Sequence, residues 1–191
     1  PELIAALDIP ATSLEGYLYP ETYRFQPGVT EKELVRMMVR QLLKRLDNKL
    51  LSDAMALGLD RHQLLTLASI IEKETGQVEE MPVISSVFHN RLVRNIPLQT
   101  DPTVIYGIED FDGNLTRRHL KTRTPYNTYL NRGLPPGPIA SPGPEALRAA
   151  AHPARTDFLY FVSRGDGHHV FSTTLQEHNQ AVRRYQLGRR N

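Results

Sequence analysis

Between Asp60 and Gly76 the chain runs RHQLLTLASIIEKET, an apolar stretch that has to be buried and that repeats with a helical period. Each residue of an α-helix advances by roughly 100°, so Leu64, Ala68, Ile71 and Glu72 share one face at i, i+4, i+7 and i+8. Asp60 with Gln63 has the spacing of a capping box, which predicts a helix over 61–75. The helical wheel puts Glu72 inside the apolar arc, between Ala68 and Leu65. Glu74 falls near the far edge beside Leu67, Ile70 and Gln63, where its head reaches water more readily. A carboxyl held against apolar walls loses solvation in its charged form, which raises its pKa toward the range of a general acid. The alternative is structural: a glutamate at the edge of an apolar stripe pairs with a cation, and His62, Lys73, Arg91 and Arg94 are near in sequence.

The same logic organises the rest of the chain. Thr30 and Glu33 form a second capping-box pattern ahead of Leu34, Met38, Leu42 and Leu46, predicting a helix from about 31 to 51. A short helical piece, SDAMALG, ends at Gly58. After Pro82, Ile84, Val87, Phe88 and Leu92 predict another amphipathic helix reaching about 94. PEALRAAAH (144–152) reads as a helix with proline in its first turn. FLYFVSRGDGHHVFS (158–172) sets two apolar runs across a Gly-Asp-Gly turn and predicts a β-hairpin, and TLQEHNQAVRRYQLG predicts a closing helix. Residues 12–28 mix aromatics with Gly and Pro and read as strand or loop. Residues 95–143 are too irregular for long helices, and a loop region of that length inside a compact domain is usually functional. Helices dominate the centre and strands the ends, which suggests an α+β domain without internal repeats.

Composition narrows the chemistry. The 191 residues suffice for one sizeable domain. The absence of Cys removes thiol nucleophiles, disulfides and cysteine-ligated zinc, and leaves the compartment open. A net charge of +2, from 23 basic against 21 acidic residues, does not point to nucleic acid. The basic clusters TRRHLKTR (116–123) and RRYQLGRRN (183–191) read as solvated faces or tails, with an anionic surface or polymer as the alternative. No stretch approaches the ~18 apolar residues that a membrane span needs, and the opening PELIAALDIP has no signal-peptide pattern, so the chain is expected to be a fragment. His168 and His169 are expected on opposite faces of a strand, and no HExxH spacing occurs, which disfavours a metal hydrolase.

Eight blocks in order carry a resemblance: LEGYLYPETYRF, LASIIEKETG, VFHNRL, PLQTDPTVIYG, YNTYLNRGLPPGPIASPG, AAAHPA, LYFV and GHHVFSTTLQEHN. Over about residues 12–180 the chain resembles the MltG-type (YceG-like) endolytic murein transglycosylases of bacteria. That resemblance implies one catalytic domain over 1–191, with a helical, lysozyme-like centre, flanking strands and a C-terminal hairpin plus helix. Residues 1–28 would form the junction to an upstream LysM-like subdomain. It also implies cleavage of the peptidoglycan bond between N-acetylmuramic acid and N-acetylglucosamine, leaving a 1,6-anhydromuramic end and using no cofactor or metal. The family's catalytic glutamate is expected at the first Glu of IIEKE, here Glu72. Gln99, Thr100, Asp101, Tyr126 and Asn127 are the expected substrate-binding residues, because both blocks offer groups suited to amides and hydroxyls in a loop setting. Asp101 capping a turn and Tyr126 packing in the core are the structural alternatives. Glu74 and Asn179 are expected one layer behind the site, Asn179 with His178 tying the last helix to the hairpin. The family further implies a single N-terminal membrane anchor upstream, a position at the periplasmic face of the inner membrane, and peptidoglycan synthases as partners.

Two rival functions stay open: a two-carboxylate muramidase in which Asp101 activates water opposite Glu72, and a non-catalytic glycan-binding module. The second is disfavoured by the lack of Trp and by an aromatic content of 7%.

Overall fold

A computed structural model describes residue 4 and residues 12–187. The opening PELIAALDIP, apart from Ile4, and the last four residues of the second basic cluster lie outside these. Helices α1 (Glu31–Arg45), α2 (Asn48–Ala56), α3 (Arg61–Glu74) and α4 (Met81–Val93) come first, with a 3₁₀ turn at Val78–Glu80 before α4. Short helices α5 (Asp101–Tyr106) and α6 (Arg117–Lys121) interrupt the irregular region. They are followed by α7 (Pro144–Ala151), strands β1 (Tyr160–Ser163) and β2 (His169–Ser172), and α8 (Leu175–Val182), which passes into a wider π turn at Arg183–Leu187. The class is α+β. Among the described residues the strands are those of the hairpin, while 12–28 is made of turns, bends and irregular backbone.

The capping patterns form as their spacing predicts. Thr30 and Asp60 each accept the backbone N–H three residues on, and Glu33 and Gln63 return the bond. The helix expected over 31–51 is instead broken at Leu46. The leucine period continues through the break, but Asp47 has an extended backbone and its side chain accepts the Leu50 N–H at 2.8 Å, so a new helix starts there.

Helix α3 is the central beam, packing most extensively on α7 and also touching α2, α4 and α5. Every residue from Leu64 to Ile71 is buried. Five large aliphatic side chains on it, Leu64, Leu65, Leu67, Ile70 and Ile71, are fully enclosed. Burying each contributes about 1.5–3 kcal/mol, enough for this helix to carry the desolvation of a carboxyl at its end.

The hairpin pairs antiparallel, Tyr160 opposite Ser172 and Ser163 opposite His169. Gly165 and Gly167 supply the positive φ values, 79° and 90°, that the connection requires. Two strands alone are marginal in water, and this pair is tied to the helical body by side chains of α4. Asn90 Nδ2 donates to the carbonyls of Thr156 (2.8 Å) and Phe158 (2.9 Å), and Arg91 Nε donates to Leu159 O at 2.6 Å. From the 3₁₀ turn, Glu80 accepts the His169 N–H (3.0 Å) and contacts both His169 Nδ1 (2.7 Å) and His168 Nδ1 (3.2 Å). His168 precedes β2, so the alternation expected to separate the two histidines does not operate, and one carboxylate engages both.

Candidate active site

An open cleft of about 430 Å³ lies between the helical body and the hairpin. Its helical side is formed by Glu74, Arg91, Gln99, Asp101 and Tyr129. Its far side is formed by Tyr160 and Phe161 of β1, His169 of β2, and His178 of α8.

Glu74, the last residue of α3, lines this cleft. Loss of water around its carboxyl raises its pKa from the ordinary 4.5 to about 7. The Asp101 charge adds to the rise, while the Thr100 hydroxyl and the Arg91 charge oppose it. The Thr100 hydroxyl donates to Glu74 Oε1. The Asp101 carboxylate accepts the Tyr129 hydroxyl at 2.6 Å, and burial together with this bond pushes the Tyr129 phenol well above its usual value.

Glu72 lies elsewhere. Its Oε2 accepts the Gly143 N–H at 3.0 Å, at the N-cap of α7, where the helix dipole and unpaired amides favour an anion. It is not among the residues of the cleft. The wheel argument that singled it out assumed one wet face on α3. That helix is instead covered on both sides, by α7 where Glu72 points and by the segment holding Thr100 where Glu74 points. The desolvated surroundings expected for Glu72 are therefore met at Glu74.

Of the five expected substrate contacts, Gln99 and Asp101 line the cleft. Gln99 has φ 51°, a left-handed conformation that costs a non-glycine residue on the order of 1 kcal/mol. It is held there by its N–H on Thr128 O (3.1 Å) and by Arg91, whose Nη1 donates to the carbonyls of Pro97 (3.1 Å) and Leu98 (2.8 Å). Thr100 is 2% exposed and faces Glu74. Tyr126 and Asn127 are not cleft residues. Tyr126 packs on Tyr106, ring centroids 4.6 Å apart. Asn127 is fully buried, and its Nδ2 donates to Leu120 O (3.1 Å) and Thr122 O (2.7 Å), closing the loop around α6. A loop amide suited to sugar recognition is equally suited to backbone carbonyls, and here the backbone takes it. Asn179 is exposed on α8 and borders a separate surface depression with Gln176, Gln180 and Arg183, while its neighbour His178 turns to the cleft.

Tyr129, Tyr160 and Arg91 also line the cleft and are not among the expected site residues. The legible signal for Arg91 was a cation one turn beyond the apolar Val87 and Phe88. It is 7% exposed, and its guanidinium carbon sits 5.1 Å from the Tyr160 ring centroid. His178 stacks on Tyr160 at 5.3 Å, and burial and the Arg91 charge both lower its pKa. Among the described residues no three His, Asp or Glu side chains are grouped to hold a metal ion.

Comparison with known proteins bears on this geometry. The YceG-like family model matches residues 3–184. The endolytic murein transglycosylase of Bacillus subtilis (strain 168) is 42% identical over 173 residues, covering 90% of this chain and 48% of that protein. The endolytic murein transglycosylase of Streptococcus pneumoniae (strain D39) is 33% identical over 175 residues, covering 88% of this chain and 32% of that protein. The chain thus spans at most about half the length of these relatives. The crystal structure of a YceG-like protein from Listeria monocytogenes superposes with a TM-score of 0.83 at 37% identity, covering 94% of this chain and 63% of that one. With the family match running almost from end to end, the chain belongs to the YceG-like family.

Proposed function

We propose that this chain is the catalytic domain of an endolytic murein transglycosylase that cuts the β-1,4 bond between N-acetylmuramic acid and N-acetylglucosamine and leaves a 1,6-anhydromuramic end. The observation that carries the reading is a single carboxyl, Glu74, whose pKa lies near neutrality in an open cleft walled by hydrogen-bonding and aromatic groups. A general acid works best when its pKa lies near the working pH. Protonated Glu74 gives its hydrogen to the leaving glycosidic oxygen as the C1–O bond breaks. The resulting carboxylate then takes the proton from the muramic C6 hydroxyl while that oxygen bonds to C1. The substrate supplies the nucleophile, so one acid suffices where ordinary glycoside hydrolysis needs two carboxylates. Gln99, Asp101 and Tyr129 are proposed to hold the hydroxyl and N-acetyl groups, and the Asp101 charge to stabilise the oxocarbenium-like transition state.

Because Asp101 borders the same cleft, a two-carboxylate muramidase is the second reading. The experiment is cleavage of uncrosslinked glycan strands by the chain and by Glu74→Gln, with the new ends identified by mass spectrometry. Anhydro ends that vanish in the variant support the transglycosylase. Reducing ends as the primary product select the muramidase, and a fully active variant removes Glu74 as the acid.

The wider setting follows from this substrate. Peptidoglycan strands lie outside the cytoplasmic membrane, so the domain would work at its periplasmic face, near peptidoglycan synthases, on nascent strands. Among the described residues no helix is long and apolar enough to cross a membrane. A single-pass anchor and a LysM-like subdomain, joined near residues 1–28, would lie in the part of the relatives that this chain does not cover.

A further inference from the structure

Three buried threonines stand behind the acid of the cleft: Thr100 (2% exposed), Thr103 (0%) and Thr128 (1%). The hydroxyls of Thr103 and Thr128 and the backbone N–H and C=O of Thr100 form a closed set. Thr103 Oγ1 donates to Thr100 O at 2.9 Å, and the Thr100 N–H donates to Thr128 Oγ1 at 3.1 Å. Thr103 Oγ1 and Thr128 Oγ1 are 2.8 Å apart. Thr103 Oγ1 lies nearer that carbonyl than Thr128 Oγ1 does (2.9 against 3.5 Å), so the Thr103 hydrogen goes to the carbonyl and Thr128 supplies the hydrogen of the last bond. Both backbone polar groups of Thr100 are thereby fixed, and its β-branched side chain has little χ1 freedom. Its own hydroxyl hydrogen remains, and it goes to Glu74 Oε1.

Resting on the reading of Glu74 as the acid, we infer that Thr100 is a positioning residue that selects the oxygen of Glu74 from which the proton is delivered. With Oε1 occupied as an acceptor, the transferable hydrogen resides on Oε2. It leaves Oε2 for the glycosidic oxygen as the C1–O bond breaks, and Oε2 receives the C6 hydroxyl hydrogen as the O6–C1 bond forms. Thr100 keeps its hydrogen throughout. Donation to Oε1 also favours the carboxylate form, opposing burial and the Asp101 charge, so it limits how strongly the acid retains its proton. The sequence suggested Thr100 as a contact to substrate. Its burial and its bond to Glu74 give it a different task, acting through the acid.

The test compares the chain with Glu74→Gln, Thr100→Val and Thr100→Ser on uncrosslinked glycan strands, measuring kcat and KM from pH 5 to 9 and thermal melting of each variant. Thr100→Val, which keeps the shape and loses the hydroxyl, is expected to lower kcat about 10- to 100-fold with KM within about twofold. The alkaline limb of kcat should move upward by about one pH unit, because the carboxylate has lost a donor. Thr100→Ser should restore the limb and most of kcat. If Thr100→Val melts below the assay temperature, Thr100→Ala is measured in its place with the same expected shift of the limb. A wild-type limb, whatever the kcat, overturns the inference, since a merely structural threonine would leave the titration unmoved. A loss confined to KM also overturns it and makes Thr100 a substrate contact. A fully active Glu74→Gln brings down the reading beneath it instead, whereas an inactive Glu74→Gln beside an unaltered Thr100→Val brings down this inference alone.

Discussion

Glu72 and Glu74 leave the same turn of one helix and meet different surroundings. Glu72 ends against the start of α7, where the Gly143 amide and the helix dipole meet its charge. Glu74 ends in the cleft, where lost hydration and the Asp101 charge favour its neutral form and one hydroxyl opposes them. The groups that set these surroundings come from 71 residues away for Glu72 and 26 for Glu74. Two identical side chains are given different surroundings by what the fold brings to each, one held by a backbone amide and one desolvated in the cleft.

The comparison can be broken most directly at Glu74. Glu74→Gln is expected to reduce strand cleavage by about three orders of magnitude or more, with the circular dichroism spectrum unchanged, because a positioned general acid contributes on the order of 10²–10⁴-fold. Equal losses in Glu72→Gln and Glu74→Gln would erase the distinction.

The pH dependence sharpens it. With Glu74 as the proposed acid, which starts protonated, kcat should fall as pH rises through about 7. The same shift has a consequence for stability. Native Glu74 holds its proton up to about 7, whereas the unfolded chain releases it near the ordinary 4.5. The contribution is fully present below 4.5 and is lost as pH rises through that window, on the order of 3 kcal/mol. Urea midpoints measured from pH 4 to 8 should show this fall in the native chain and lose most of it in Glu74→Gln.

Smaller effects are expected at the anchor. Glu72→Gln keeps an acceptor for the Gly143 N–H but removes the charge at the α7 N-terminus, so stability should drop by about 0.5–1 kcal/mol with activity within about threefold of the parent. Gly143→Ala is the gentlest probe. Gly143 has an ordinary φ of −79°, and an added Cβ would meet Glu72 Oε2 at 3.4 Å, an ordinary contact. Melting should move by less than about 1 kcal/mol and cleavage should not change. A large loss of cleavage from crowding Glu72 in this way would return that residue to the chemistry.

Much of the fold was readable because its signals are local. The capping boxes at Thr30 and Asp60 and the glycines about Asp166 act within a few residues, and each produced the element its spacing predicts. The helix break at Leu46 was obscured because the leucine period runs on while a single aspartate restarts the backbone hydrogen bonding. In the candidate site, the stretch that ends in two carboxyls was legible, and two of the expected contacts, Gln99 and Asp101, line the cleft. Which of the two glutamates is desolvated was not. Nor was the difference between Asn127, consumed by the carbonyls around α6, and Tyr129 of the same block, which reaches Asp101.

The sequence by itself determined where the capped helices at Thr30 and Asp60 start, where the hairpin turns, and that one apolar helix ends in two carboxyls, since these depend on periodicity and on bonds spanning three or four residues. Only the tertiary structure decided which carboxyl is dry, which is anchored, and which threonine touches the acid. The pKa of a side chain depends on the water it has lost and the charges and donors around it, and here those arrive from segments far along the chain.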